Sequence, residues 1–396
     1  MGKDALSTKV VGNHPKYLFA DGFYHKVEDL RYGTNPSQTA ALYAPGMGSF
    51  FGSMAYLINH LYQSAAASFD GDEQRTFLTT LKRLKTGKEG PSQTNIEDVW
   101  SAASSVMYFD EPTFVIIKHT NASGFATQYE PEPLVRTFRR AFDADFRAAF
   151  GGTLFSNREI DLETTDAMRE QFVEVVVAPE FDPGVVGKFE KTSTRIFKYD
   201  PSVYARLARF AGDKCQPELK KLQDGSLIRS DPLLFYIKNP EELGRYVVSR
   251  RQPTDRELLD MHTGLKISLK SNSIRFVKDG CTHAIGTGQQ DRVMCIDIAD
   301  YKNRRLVELF KKQNRERAEQ EKTLLVRAAN YAIPGSVLVS DGFLPFTDSI
   351  DLAHDLGSTA VLAPHGGDKF EKVLARADDH GMAFVDLPGK MRIFKH

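Results

Sequence analysis

The chain is predicted to be an α/β protein whose two halves repeat one plan, and three observations carry that expectation. Phe114-Val115-Ile116-Ile117 is a short, wholly apolar run that opens directly into Lys118-His119-Thr120-Asn121-Ala122-Ser123-Gly124. An apolar run of that length fits a strand buried on both faces, and convergent polar groups at a strand end suit ligand binding. Strand-like and helix-like segments alternate from residue 337 to residue 386, which is the grammar of layered α/β folds. Short strings also recur: Val176-Val177-Ala178-Pro179 is echoed by Val361-Leu362-Ala363-Pro364, and Lys118-His119-Thr120-Asn121 by Lys270-Ser271-Asn272.

Taken in order, residues 16–33 suggest two short strands around a turn at Asp21-Gly22. Residues 96–108 fit a helix leading into a strand at 113–117. Residues 133–150 place Leu134, Phe138, Ala141, Phe142, Phe146 and Phe150 near helical spacing, with Pro133 at a first-turn position and Gly151-Gly152 as the stop. A strand and turn at TLFSN, a helix over 163–172 and a strand over Glu174–Pro179 follow. The second half gives a helix over 254–268, a β-rich stretch to Gly280 and a charge-dense helix or helix pair over 302–331, read as a solvated face. Strands at 337–339, 359–363 and 382–386 then alternate with helices at 349–356 and 369–380. The expected organisation is a first domain over 1–200, a linker and boundary over 201–250, and a second domain over 251–396 carrying the charged insert.

Lys plus Arg and Asp plus Glu each number 52, so the net charge is zero. This argues against a nucleic-acid partner, though not against a local phosphate pocket. Cys215, Cys281 and Cys295 are too few and too scattered for a disulfide framework, and no CxxC or HxE pair offers zinc ligands. No apolar run approaches 18 residues and the first residues lack an apolar leader. No membrane span is expected, and a cytoplasmic location is.

Lys118 and His119 set a fixed charge beside a proton shuttle, a pair suited to stabilising an oxyanion while moving a proton, or are equally the simply solvated polar residues of a strand end. Arg31-Tyr32-Gly33 with Asn35, Pro36 and Gln38 offers a planar donor fork for phosphate, or simply a polar turn. Lys270-Ser271-Asn272 supplies an amide that reads a carboxamide or amine. Gly286-Thr287-Gly288-Gln289-Gln290-Asp291-Arg292 permits close backbone approach, yet has neither the GxGxxG nor the Walker A spacing. Ser340-Asp341-Gly342-Phe343-Leu344-Pro345-Phe346-Thr347-Asp348 reads equally as an aromatic clamp for a flat ligand or as a strand-to-helix turn with Asp348 as the cap.

In this order the motifs resemble the transformylase half of the AICAR transformylase/IMP cyclohydrolase family. The family pattern RYGxNPxQ, KHxNPxG, AFGG, KSN, GxGQxxR, SDxFFPFxD and RxFxH stands here as RYGTNPSQ, KHTNASG, AFGG at 149–152, KSN at 270–272, GTGQQDR, SDGFLPFTD and RIFKH. The resemblance covers nearly the whole chain. It implies a tandem pair of cytidine-deaminase-like three-layer α/β/α domains without zinc, a homodimer with sites at its interface, and formyl transfer from 10-formyltetrahydrofolate to the 5-amino group of AICAR. Only about thirty residues precede Arg31, so a stand-alone transformylase without cyclohydrolase activity is expected. By the same resemblance His119 is the base, Lys118 stabilises the oxyanion or protonates the leaving nitrogen, and Asn272 orients the amine and carboxamide. Arg31, Tyr32 and Arg392 take the ribonucleotide phosphate and its surroundings, Phe150 and Gly151 pack on the nucleotide side, and Glu174 stands where relatives have Asp. Arg292 and Val293 border both ligands, and Phe343, Pro345, Phe346 and Asp348 hold the pterin.

Four departures carry expectations of their own. Ala122 in place of Pro predicts a looser loop after His119. Leu344 in place of Phe predicts a reshaped folate site. Lys395 in place of a penultimate His puts an ammonium beside a monovalent-cation site known in some members, so no bound potassium is expected. The helical insert before Ser340 is short. Two other readings of the same residues are a catalytically silent binder of AICAR-like nucleotides and an enzyme that uses formate and ATP directly.

Overall fold

A computed structural model describes residues 14–19, 23–45, 76–87, 90–314 and 333–395. Its strands are β1 (Tyr17–Phe19), β2 (Phe23–Leu30), β3 (Ala40–Pro45), β4 (Lys82–Lys85), β5 (Thr113–Lys118), β6 (Asn121–Thr127), β7 (Thr153–Ser156), β8 (Val175–Ala178), β9 (Arg195–Lys198), β10 (Glu218–Lys221), β11 (Leu227–Ser230), β12 (Ser273–Lys278), β13 (Cys281–Thr287), β14 (Val337–Ser340), β15 (Ala360–Pro364) and β16 (Ala383–Leu387). The helices of eight or more residues are α1 (Gln93–Val106), α2 (Leu134–Phe142), α3 (Leu162–Arg169), α4 (Asp255–Lys266), α5 (Arg292–Asn314), α6 (Asp348–Asp355) and α7 (Phe370–Asp379).

Eleven strands form one mixed sheet in the order β16-β15-β14-β12-β13-β6-β5-β7-β8-β9-β4. Its two halves have the same connectivity. A helix leads into an antiparallel hairpin (β5–β6, β12–β13), whose first strand pairs antiparallel with the next strand (β7, β14), and two parallel strands follow on each side, the first half adding β4 antiparallel to β9 at its edge. The halves join where β13 meets β6 antiparallel, at Cys281 and Ala126. The hairpins share a β-bulge at the same distance from the turn, between Ile116 and Ile117 and between Phe276 and Val277.

Alternation along the central strands builds three layers. Val115 and Ile117 pack with Val99, Ala102, Ala103 and Val106 of α1, while Phe114 and Ile116 pack with Phe138, Ala141 and Phe142 of α2 on the other face. In the second half, Val337 and Val339 meet Met261 and Leu265 of α4, while Leu338 and Val361 meet Cys295, Ile350 and Val373 of α5, α6 and α7. The helices before the hairpins begin on matching caps, Ser92 with Asn95 and Thr254 with Glu257, each closing two of the amides a helix start leaves open.

Several expectations are corrected by these elements. The echo of Lys118–Asn121 in Lys270–Asn272 is not a topological equivalence. The counterpart of the His119-Thr120 turn is Asp279-Gly280, whereas Lys270-Ser271-Asn272 precedes β12 instead of closing its hairpin. The echo of Val176–Pro179 in Val361–Pro364 does fall on equivalent strands, β8 and β15. Residues 133–150 are two helices, because Asp145 restarts the chain by accepting from the Ala148 amide at 3.0 Å. Residues 201–250 supply β10 and β11, which complete a five-stranded antiparallel sheet, β1-β2-β3-β11-β10. Ala122 and Ser123 lie inside β6 and not in a loop. The turn expected at Asp21-Gly22 and the end of the charged segment, 315–332, lie outside the described residues.

Candidate active site

Hydrogen bonds knit all seven motifs together at one end of the large sheet. Lys118 closes β5, and its Nζ donates to the Phe150 carbonyl at 2.7 Å, tying it to the loop before β7. His119 and Thr120 form the two-residue turn, with φ of 55° and 62°. Positive φ at both central residues is the type I′ geometry, whose twist matches that of the flanking strands. The His119 side chain is exposed.

Asn121 then bridges the halves. Its Oδ1 accepts from the Lys270 amide at 2.8 Å and from Thr287 Oγ1 at 3.0 Å. Lys270-Ser271-Asn272 is clamped from two further sides. Gly288 donates to the Asn272 carbonyl at 2.8 Å, and Asn272 Nδ2 donates to the Gln290 carbonyl at 2.9 Å. Ser271 and Lys395 exchange two bonds, Ser271 N to the Lys395 carbonyl at 2.9 Å and Lys395 N to Ser271 Oγ at 3.0 Å. One residue back, Phe394 N donates to Asn35 Oδ1 at 2.8 Å and Asn35 Nδ2 to the Phe394 carbonyl at 3.0 Å. Asn35 is fully buried and is braced by Gln38 Oε1 at 2.8 and 2.9 Å. The loop bearing Arg31 and Tyr32 is thereby fastened to the tail bearing Arg392. Arg31 itself is exposed, with its guanidinium 5.4 Å from the Tyr32 ring centre.

Phe343 is flanked by Arg292 and Arg392, whose guanidinium carbons lie 5.6 and 5.1 Å from its ring centre. Both also face Phe394, at 5.6 and 5.9 Å. Gly366 makes room for this group, since a Cβ there would sit 2.9 Å from the Phe343 ring and 3.0 Å from an Arg392 nitrogen. Arg292 is buried and bonded to Ser340 Oγ at 3.2 Å and Asp341 Oδ1 at 3.3 Å. Burial holds its pKa below the ordinary guanidinium value, with Asp341 opposing. The Nε of Arg392 is buried without a partner among the described residues, the state expected of a donor aimed at something else.

The remaining candidates divide. Val293 is half-buried in the first turn of α5, Pro345 is half-buried, and Phe346 is exposed beneath Lys369 Nζ at 4.5 Å. Asp348 is exposed and its Oδ1 accepts from the Ser349 amide at 2.8 Å, but the cap of α6 is Thr347, so Asp348 is the first helical residue. Leu344 turns into the core beside Ile274 and Leu338, so its replacement of an aromatic leaves the exposed face of this turn unchanged. Phe150 is exposed against Phe172, and Gly151 sits beside Lys118 Nζ with φ of 71°. Glu174 immediately precedes β8 at the same sheet end, with Oε1 held by Arg195 at 3.0 Å and Asn95 at 3.3 Å. Lys395 Nζ donates to Ser268 Oγ, and burial brings its pKa down to about 8. A cavity of about 640 Å³ lies behind this tail, lined by Asn35, Trp100, Lys266 and Lys395, and is bordered by neither Lys118 nor His119 nor Asn272.

This end carries the carboxyl ends of β14, β15 and β16 in the second half but the amino ends of β7, β8 and β9 in the first. The usual preference for carboxyl ends therefore holds for one half only. Residues not singled out from sequence were Asn121, Ser271, Asp341 and Asp98. The first three stood inside quoted motifs; Asp98 had no signal beyond its place on a helix. Among the described residues, no group of three or more His, Cys, Asp or Glu side chains could hold a metal ion, and no helix is long and apolar enough to cross a membrane.

The fold and site define a mixed α/β protein that gathers cations, an imidazole and an amide from both halves of one sheet. The chain belongs to the AICARFT/IMPCHase bienzyme family, whose model matches residues 4–302. It is 32% identical over 373 residues to the bifunctional purine biosynthesis protein PurH of Chlorobaculum parvum, covering 93% of this chain and 58% of that one. It is 31% identical over 377 residues to PurH of Persephonella marina, covering 94% and 60%. With PurH of Chlorobium phaeobacteroides the identity is 33% over 374 residues, covering 93% and 59%. The chain thus spans about three fifths of the length of these relatives.

Proposed function

We propose that this chain transfers the formyl group of 10-formyltetrahydrofolate to the 5-amino group of AICAR. The observation that carries the reading is the Asn121 carboxamide, bonded at 2.8 Å to the Lys270 amide. It ties the Lys118-His119 turn to the Lys270-Ser271-Asn272 segment, so base, cation and amide share one neighbourhood.

The AICAR amine is a weak nucleophile, because its lone pair is delocalised into the ring and carboxamide. His119 takes its proton as it attacks the formyl carbon. Lys118 stabilises the oxyanion that forms, or gives a proton to the leaving folate nitrogen as its bond to the formyl carbon breaks and the tetrahedral intermediate collapses. Asn272 orients the amine and carboxamide. Arg31, Tyr32 and Arg392 take the phosphate end, a role in keeping with the unpartnered Nε of Arg392. Phe150, Gly151 and Glu174 border the nucleotide. Phe343, Pro345, Phe346 and Asp348 receive the pterin, with Arg292 and Val293 between the two ligands.

The reading includes a tandem cytidine-deaminase-like fold, in keeping with the repeated strand order, a homodimer whose interface completes the site, and a cytoplasmic location. The test is absorbance-monitored release of tetrahydrofolate from 10-formyltetrahydrofolate. Release that depends on AICAR is expected. Calorimetric binding of AICAR with no release would favour a silent nucleotide-binding protein. Formylation from formate and ATP without folate would overturn the donor.

A further inference from the structure

The turn that presents His119 is held from below by a side chain the motifs do not contain. Asp98, on α1, accepts the Thr120 amide at 2.6 Å, and the neighbouring His119 amide favours its charged form. The second half repeats the device. Asp260, on α4, accepts the Gly280 amide at 2.8 Å and the Asp279 amide at 3.0 Å. Each aspartate is the sixth residue of a helix that begins on a matching cap, and each reaches the turn of the hairpin that follows. At Asp260 two consecutive amides converge on one carboxylate, an anion nest turned inward.

The two aspartates differ in what else they hold. Asp260 also accepts from Tyr129 Oη at 2.9 Å. Asp98 accepts from the Thr120 amide of the turn and is 5% exposed. Burial pushes its carboxyl up while the amides pull it down. Thr120 gains little from the left-handed region it occupies, because its branched Cβ crowds the backbone there. The carboxylate offsets that crowding by fixing the Thr120 amide inward, which leaves the His119 side chain exposed at the sheet end.

We infer that Asp98 is the positioning residue for His119, holding the two-residue turn in the left-handed geometry that aims the imidazole. This rests on the formyl-transfer reading above for its kinetic consequence, and on the turn geometry alone for its structural one. Asp98 touches no ligand; it acts through the backbone of the turn.

The test uses the full chain with Asp98→Ala, Asp98→Asn, Asp98→Ala combined with Thr120→Gly, and Asp260→Asn. Asp98→Ala is expected to lower kcat by roughly tenfold to a hundredfold, the scale of a misplaced catalytic group, with KM for AICAR within about threefold of wild type. Asp98→Asn, which keeps an acceptor oxygen, should fall between, and it provides a readout if the alanine variant does not fold. Adding Thr120→Gly should recover activity, since glycine enters the left-handed region freely. Asp260→Asn should lower the thermal midpoint and leave kcat unchanged. Wild-type kcat in a folded Asp98→Ala, or equal kcat losses from both aspartates, would overturn the proposal. If the wild-type chain shows no AICAR-dependent release, the formyl-transfer reading fails by itself. The positioning claim is then read from hydrogen exchange at the Thr120 amide, expected to quicken at least about tenfold in Asp98→Asn while β5 amides hold; unchanged exchange there would overturn it.

Discussion

The His119-Thr120 turn and the Asp279-Gly280 turn are one backbone built from two kinds of residue. Both carry positive φ at both positions, 55° and 62° in the first and 52° and 69° in the second. Both follow a bulge and rest on an aspartate from the preceding helix. Asp-Gly is what such a turn prefers, and glycine is required there, because a Cβ on Gly280 would lie 2.7 Å from the Thr127 carbonyl oxygen. His-Thr is a poor choice on the same grounds, each residue costing about 1–2 kcal/mol in the left-handed region. The second-half turn therefore shows what folding alone selects, and the first-half turn departs from it where polar groups of both halves converge. An observed backbone outlier of this kind points toward function.

The largest effect that separates the turns is kinetic. His119→Ala should lower kcat by about 10²–10⁴, the usual range for a general base, with the fold and AICAR binding intact. Asp279→Ala, at the matching position, should leave kcat at the wild-type value. Wild-type turnover in His119→Ala would remove the functional distinction between the two turns.

Much of this was readable beforehand, for identifiable physical reasons. Strands covered on both faces are continuous apolar runs, so β5, β8, β14 and β15 could be placed within about a residue or two. The motif residues were visible because polar, glycine-rich strings at strand ends stand out against apolar strands. The small sheet was not visible. The strand β10, Glu-Leu-Lys-Lys, is exposed along its length and carries no alternation, and its neighbour β11 pairs with β3 across nearly the whole first half of the chain. The correct match of hairpins was obscured because Lys118–Asn121 resembles Lys270–Asn272 in letters, whereas Lys278–Cys281 matches it in geometry. Asp98 was hidden because a helical aspartate ordinarily faces water.

The two helices beneath the turns differ again at their twelfth residue, Ser104 in α1 and Lys266 in α4, both lining the same cavity. Lys266 is 2% exposed, lies 2.7 Å from His262 Nε2 and sits over the Tyr108 and Phe210 rings at 5.5 and 5.4 Å. Burial brings its pKa from 10.5 down to about 7. The unfolded chain then binds more protons than the folded one between about pH 7 and pH 10, so stability rises with pH through that window. Below it the full cost of a buried ammonium remains. Lys266→Met should stabilise the protein by about 4 kcal/mol at pH 7 and flatten the rise, as measured by urea unfolding at several pH values. An unchanged slope would mean that the second half does not bury a charge where the first places a half-buried hydroxyl.

The smallest effect probes the turn itself. Thr120→Gly removes the left-handed crowding of a branched residue but adds chain entropy to the unfolded state, about 0.5–1 kcal/mol. It also loses the Thr120 Oγ1 bond to the His119 carbonyl at 2.7 Å, which is exposed and worth little. The Thr120 amide stays available to Asp98. The balance favours stabilisation by about 0.5–1 kcal/mol, seen as a higher urea midpoint at unchanged slope. The single variant thus moves the first turn toward the composition of the second. A lower midpoint would mean that threonine is at ease in this conformation, and the contrast between the two turns would then be one of chemistry without strain.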